Sequence, residues 1–250
     1  MLDVYAINLD RSTERWARLA RAFSAVPELQ LHRVSAIDVQ QQPQYAKPPY
    51  FHAYGFRLRM GRAARGGEIG CYASHLLAMR QFLETQTEFA LICEDDVQPT
   101  PELPAVLAAL TACADRWELV RLTRCRTRGF YPWKNLPAGH TLGTNLHGLS
   151  FAAAYLLNRQ GAERLLKHLA GMRLPYDLAL YYGWPDVREA SVLPDALTLD
   201  ALSEETTLGK KKPHTLSDWL FVPSKILYKI HMRLHRRHLQ GRHVQERLRD

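Results

Sequence analysis

Phe89-Ala90-Leu91-Ile92-Cys93-Glu94-Asp95-Asp96-Val97 is the stretch on which the reading of this chain turns. Five apolar residues with β-formers among them, closed two positions later by Pro99, predict a short buried strand. Three acids crowd its carboxyl end. Such carboxylates repel one another, and in open α/β sheets the carboxyl ends of strands are where ligands bind. Side chains alternate along an extended chain, so Glu94 and Asp96 are expected on one side and Asp95 on the other. An arbitrary acidic triplet is more often a solvated turn. The strand before this one points instead to a hard divalent cation that keeps waters and substrate phosphates in its shell.

Outward from that strand, elements alternate. Asp3 to Leu9 reads as a strand, Thr13 to Phe23 as a helix with Ser12 as its N-cap, and Leu31 to Ala36 as a second strand. Residues 39–66, rich in Gln, Pro, Tyr, Gly and Arg, read as a long loop. A helix is expected from Gly70 to Gln86, with Leu76, Leu77, Met79, Phe82 and Leu83 as its apolar face. Helix Leu103–Ala114, strand Glu118–Leu122, a site-forming loop over 124–150, strand Ala152–Leu157, helix Arg159–Leu169 and strand Ser191–Leu193 follow. This order predicts an α/β fold with a mainly parallel central sheet flanked by helices.

At 250 residues and 46% apolar, the chain can bury a good core. Its net charge of +8 is unevenly placed: residues 1–208 carry 22 basic and 22 acidic side chains, residues 209–250 carry 11 and 3. Two units are therefore expected, a body over 1–208 and a basic amphipathic helical tail over 209–250. In the tail Ile226, Leu227, Ile230, Leu234 and Leu239 recur at helical spacing among Lys and Arg. Such a helix either lies on an anionic membrane or packs on the domain with a solvated basic face; the excess charge favours the membrane. Neutrality of 1–208 argues against a nucleic-acid binder. Cys71, Cys93, Cys113 and Cys125 have no CxxC spacing, no segment has the length of a membrane span, and no signal-peptide pattern opens the chain. A cytoplasmic location is expected.

Ala6-Ile7-Asn8-Leu9-Asp10-Arg11-Ser12-Thr13-Glu14-Arg15, Arg33-Val34-Ser35-Ala36-Ile37-Asp38, Gly67-Glu68-Ile69-Gly70-Cys71-Tyr72-Ala73-Ser74-His75 and Ala90–Val97 resemble the opening blocks of glycosyltransferase family 25. These are bacterial lipopolysaccharide and lipooligosaccharide sugar transferases related to collagen galactosyltransferases. The GEIGCxxSH block is the most specific of the four. Weaker likeness runs through Ala154–Leu157, Gly161-Ala162, Leu174–Asp177 and Val192–Pro194, covering about residues 3–203 and loosening after Pro194. The resemblance implies a GT-A-type fold, a UDP-sugar donor (by preference UDP-galactose), a glycolipid or oligosaccharide acceptor, inversion at the sugar, and Mn²⁺ or Mg²⁺ on the donor diphosphate.

Carried onto this chain, the resemblance assigns metal coordination to Asp96 and then Glu94, and the ribose or donor sugar to Asp95. Asn8, Asp10 and Arg15 fall where the first strand enters its helix, beside the nucleotide; Arg15 either reaches phosphate or is a solvated helix residue. Ala36 and Asp38 end the second strand near the expected uridine, Asp38 being either a uracil or ribose partner or a turn residue. Glu68, Ser74 and His75 come from the specific block, and His75 is either a donor to the diphosphate or sugar or a satisfied core histidine. Asp177 is the candidate general base, with an ordinary N-cap as the other reading. Tyr131, Trp133 and Trp184 are weaker candidates for stacking on acceptor sugars, and His147 or His214 for a third metal ligand. The rival within the family is a catalytically inactive nucleotide-binding scaffold in envelope glycan assembly. The intact acidic and GEIGCxxSH blocks oppose it.

Overall fold

The computed structural model of the chain describes residues 1–146, 151–200 and 216–247. Eight strands form one sheet in the order β2-β1-β3-β8-β5-β9-β7-β6. They are β1 (Leu2–Asn8), β2 (Leu29–Ser35), β3 (Phe89–Glu94), β5 (Leu119–Arg121), β6 (Phe130–Asn135), β7 (Thr141–Asn145), β8 (Ala154–Asn158) and β9 (Glu189–Leu193). β4 (Val97–Pro99) and β10 (Leu197–Leu199) make a separate antiparallel pair. The class is α/β as expected, but the sheet is mixed. β1 pairs in parallel with β2 and β3, and β5 with β9, while β8, β7 and β6 run antiparallel to their neighbours. β1, β2, β3, β5 and β9 consequently share one direction and open their carboxyl ends on one edge of the sheet.

Alternation along the strands sorts side chains into two cores. Tyr5, Ile7, Ala90 and Ile92 face one layer, which holds α3 (Gly66–Glu84), α5 (Arg159–His168) and α6 (Tyr176–Tyr182). Val4, Ala6, Leu91 and Cys93 face the other, with α1 (Thr13–Ser24) and α4 (Leu103–Thr111). Both faces are covered, so β1 and β3 are near-continuous apolar runs rather than half-polar ones.

Several expectations change. The stretch 39–66 contains a helix, α2 (Ala53–Met60), ended by Gly61 at φ 65°. Its mix of Gly, Arg and aromatics carries no helical period to read. Helix α3 starts at Gly66, not Gly70, because the Glu68 carboxylate reaches back to the Arg65 backbone N–H at 2.8 Å and caps the first turn. Ser12 makes no side-chain cap on α1. Residues 124–150 are no simple loop: they supply the hairpin β6–β7.

For the basic tail, the structure shows the packed arrangement, one of the two expected. Helix α7 (Val222–Arg247) packs against α2, α6 and β7, burying Met232, Arg236, Leu239, Gln240 and His243. Arg236 donates to Glu189 of β9 at 3.0 Å and to the Tyr181 carbonyl at 2.5 Å. Arg121 holds the same carboxylate from β5 at 3.1 Å. α7 is thus part of the folded body rather than a freely projecting helix, and the expected boundary at 208/209 lies outside the described residues. No described helix is long and apolar enough to cross a membrane. Removing one partner of a buried ion pair is costly, so Arg236→Ala is expected to lower stability by about 3 kcal/mol in urea unfolding. An unchanged midpoint would mean α7 is not docked.

Candidate functional site

The site lies on the carboxyl edge of the sheet, where β3 ends at Glu94 and the chain turns through Asp95 and Asp96 into β4. Parity decides what each acid meets. Glu94 continues the row of Ala90 and Ile92 and faces α3, where His75 Nε2 lies 3.5 Å and Cys71 Sγ 3.8 Å from its Oε1. Asp95 continues the row of Leu91 and Cys93 and faces α1. It accepts from Asn8 Nδ2 at 2.6 Å and pairs with Arg15 at 2.6 Å. Asp96 follows in the turn between β3 and β4. It lies 3.6 Å from the same Arg15 and also feels the charge of Glu94.

Asp96 has its pKa pushed up to about 6, by burial and then by Glu94 and Asp95, against the pull of Arg15. Burial also raises Asp95, with Asn8 and Arg15 opposing. Asp96 Oδ1 is buried and accepts no hydrogen bond. A buried carboxylate oxygen left without a donor, beside two further carboxylates, is a position that a cation would satisfy.

His75 is wholly buried, with its ring stacked on Tyr176 at 3.9 Å and its Nδ1 2.9 Å from the Tyr155 hydroxyl. The Tyr155 hydroxyl is in turn 2.7 Å from that of Tyr176. Burial lowers the His75 pKa and keeps the ring neutral. A neutral ring accepting from Tyr155 at Nδ1 presents Nε2–H to Glu94; burial pushes Glu94 up, but that bond together with Arg15 and the Cys71 thiol outweighs it and keeps Glu94 below the usual carboxyl range. His75 is therefore enclosed and orients Glu94; it has no open face for a diphosphate or sugar. Cys71, whose thiol is pushed up by burial, completes a Cys-His-Glu group with ligand atoms within 4.8 Å. A protonated thiol and a ring already engaged suit a hard cation less well than the carboxylates of Asp95 and Asp96.

Other expected nucleotide residues prove to be internally engaged. Asn8 accepts from Arg33 at 2.6 Å while donating to Asp95 and to the Ser12 carbonyl. Asp10, mostly exposed, accepts from the Ser35 hydroxyl at 2.6 Å. Arg15 pairs with Asp95 and Asp96 through one nitrogen, Nη2. Asp38 accepts from the Gln40 N–H and pairs with Arg11, and these hold its carboxyl below the usual range. That is the turn reading of Asp38. Glu68 is buried and gripped by Arg62 at 2.5 and 2.8 Å and by Arg65; burial opposes its charge, and these bonds outweigh it.

Ser74 accepts from the Ile37 N–H at 2.8 Å and donates to the Gly70 carbonyl at 2.7 Å. A Cβ on Gly70 would stand 2.3 Å from the Ile37 carbonyl oxygen. Gly70 and Ser74 together clamp the segment after Ala36 onto α3, holding the edge beside Asp38 in place.

Asp177 sits in the first turn of α6, whose N-cap is Pro175. Burial pushes its pKa up to about 6, against the α6 backbone and Arg121, with Glu94 and Glu68 adding to the rise. It thus shares an electrostatic environment with Glu94 across α3. Trp184 stacks on His168 at 4.4 Å and Trp133 lies under Arg116 at 4.8 Å, both half-buried packing roles; Tyr131 is exposed on β6. His147 and His214 lie outside the described residues.

Residues that sequence reasoning passed over are Arg33, Arg121, Tyr155 and Tyr176. Tyr155 and Tyr176 stand within the resembling blocks, so a signal was present. Arg121, from a β5 of three residues, carried none. Ser74→Ala leaves a buried N–H unpaired and should cost about 1–3 kcal/mol in thermal or urea unfolding. Asp38→Asn, at a half-exposed turn, should cost under about 1 kcal/mol. The reverse order would show that the clamp does not hold the segment.

The glycosyltransferase family 25 (LPS biosynthesis protein) model matches residues 1–180. Procollagen galactosyltransferase 2 of Homo sapiens is 26% identical over 226 residues, 82% of this chain and 34% of that protein. A glycosyltransferase 25 family member of Aedes aegypti is 29% identical over 180 residues, covering 66% and 28% respectively. The chain thus spans about a third of the length of these relatives. Among solved structures, a glycosyltransferase involved in the glycosylation of the major capsid of PBCV-1 aligns loosely. Its TM-score is 0.41 at 8% identity, over 92% of this chain and 98% of that one. With the family model covering well over half its residues, the GEIGCxxSH block on α3 and the acidic turn after β3 included, the chain belongs to glycosyltransferase family 25.

Proposed function

We propose that this chain is a metal-dependent, inverting glycosyltransferase of GT-A type. In this reading it moves a sugar from a UDP-linked donor, galactose foremost, onto a glycan of lipopolysaccharide or lipooligosaccharide. The observation that carries the reading is Asp96 Oδ1, a buried acceptor with no donor at the carboxyl end of β3. The galactosyltransferase relatives support the sugar, and the family description supports the acceptor. Such an acceptor would be met at the cytoplasmic face of a bacterial inner membrane, with the enzyme bound peripherally.

The donor set fits a hard divalent cation, Mn²⁺ or Mg²⁺: Asp96 would hold it, with Asp95 and Glu94 adjacent in charge. Bound there, the ion would neutralise charge developing on the leaving diphosphate. The rest is the work of the chain's own groups. Arg15 and Asn8 fix the Asp95 carboxylate, and His75 fixes Glu94, so neither acid must reorganise as charge develops. Asp177, with a pKa near 6, is unprotonated at neutral pH yet basic enough to accept the proton of an acceptor hydroxyl. The hydroxyl oxygen bonds to the anomeric carbon as the bond to the diphosphate breaks, and the proton passes to the Asp177 carboxylate.

Asp96→Asn should leave the fold intact and reduce transfer by at least about a hundredfold. It should also abolish the rise in melting temperature that Mn²⁺ with UDP gives the wild type; chelation should match it in rate. A variant that keeps the metal-dependent shift would remove Asp96 from the metal site. The base works only when deprotonated, so kcat should climb as pH rises through about 6 and level off above it. Asp177→Asn should lower kcat by about 10²–10⁴ and erase that climb. If the climb survives, another group is the base. Nucleotide binding without turnover over a panel of donors and acceptors would favour the scaffold reading.

A further inference from the structure

The inward face of α7 is accounted for by its packing on the domain. Its outward face is not. Ile226, Leu227, Ile230 and Leu234 recur at helical spacing and are between 49% and 68% exposed. In the short helical turn that leads into α7 (Leu216–Phe221), Trp219 and Leu220 are 68% and 80% exposed. Their orientation is built in. Asp218 in the same turn is buried and paired with Arg57 of α2 at 3.3 Å, and Phe221 lies against Tyr54. With those two turned inward, Trp219 and Leu220 are left facing out. A single exposed leucine is ordinary, but six large apolar side chains along one continuous element are not.

Charge says what the face fits. Lys229, Arg233, Arg237 and Arg242 are exposed along the same helix. Glu246, near its far end, is the only acidic residue of α7. We propose that the outward face of α7, with Trp219 and Leu220, lies in the surface of an anionic lipid bilayer. Aliphatic side chains with a Trp enter the headgroup boundary while flanking cations meet lipid phosphates, each source of binding modest and the two together adequate. A second copy of the chain fits less well, because pairing the stripe with itself sets Arg233 and Arg237 against like charges. Nucleic acid would use the cations but leave the aliphatic row without purpose. The helix so docked is the one that packs on α6, through Arg236 to the Tyr181 carbonyl and His235 stacked on Tyr182 at 4.2 Å. α6 also carries Asp177. The docking stands independently of the transfer chemistry.

The test is co-sedimentation of the full chain with vesicles of phosphatidylcholine alone and of phosphatidylcholine with phosphatidylglycerol, at low and high salt. Binding is expected to the anionic vesicles and to weaken with salt. Leu227→Glu/Ile230→Glu/Leu234→Glu, all at exposed positions, should keep the wild-type melting temperature and lose binding. Arg233→Glu/Arg237→Glu should weaken binding at least about tenfold and flatten its salt dependence. Equal binding by the wild type and the triple-Glu variant would overturn the proposal. So would a failure of the wild type to bind anionic vesicles, including the case where sedimentation velocity shows the stripe closing a dimer instead.

Discussion

Two carboxylates cannot approach a third in a buried turn without something to oppose them, and the structure around β3 is arranged to meet that constraint. Alternation along the strand sends Glu94 to the α3 side and Asp95 to the α1 side, so the triplet is split before it repels itself. Each half then receives a dedicated partner: neutral His75 for Glu94, and Asn8 with Arg15 for Asp95. Asp96, just past the strand, shares Arg15 at a longer distance and keeps one oxygen without a donor. What remains uncompensated in the cluster is therefore concentrated on a single residue.

The supports of that cluster come from far along the chain. The row from Tyr176 through Tyr155 to His75 joins α6, β8 and α3 in one hydrogen-bonded and stacked unit ending at Glu94. Gly70, about one turn earlier on α3, and Ser74, next to His75, pin the backbone after β2. The GEIGCxxSH block thus serves as a bracket between the first two strands and the acidic turn. Its Glu68 caps the helix, its Gly70 permits close approach, and its Ser74 and His75 reach to either side. Most of its polar groups are spent on the protein itself.

Across the sheet, the Arg121–Glu189–Arg236 triad ties β5 and β9 to α7. Burying three charges is costly, and the arrangement is tolerable because each arginine also donates to a backbone carbonyl, Arg121 to Phe151 and Arg236 to Tyr181. The helix is thereby fixed in rotation, one face in the protein and the other in solvent. A composition count treats its charges as one population. The fold divides them into Arg236, which is structural, and the exposed remainder.

By itself the sequence determined what local pattern encodes. That includes the apolar runs of β1 and β3, the alternation of helices and strands, the family likeness in blocks of consecutive residues, and the acidic cluster at a strand end. These were legible because each depends on neighbours within a few positions. Where pattern was absent it misled: α2 and the β6–β7 hairpin lie in stretches without periodicity, and the antiparallel members of the sheet leave no local mark. The tertiary structure alone decided the partners of each acid, the enclosure of His75, the engagement of Asn8 and Glu68, and the docked face of α7. Those outcomes rest on contacts between residues far apart in the chain, such as Asn8 with Asp95 at a separation of 87 and Leu58 with Ser224 at 166. Burial and electrostatics are set where chain segments meet, and no short window of sequence contains both sides of such a meeting.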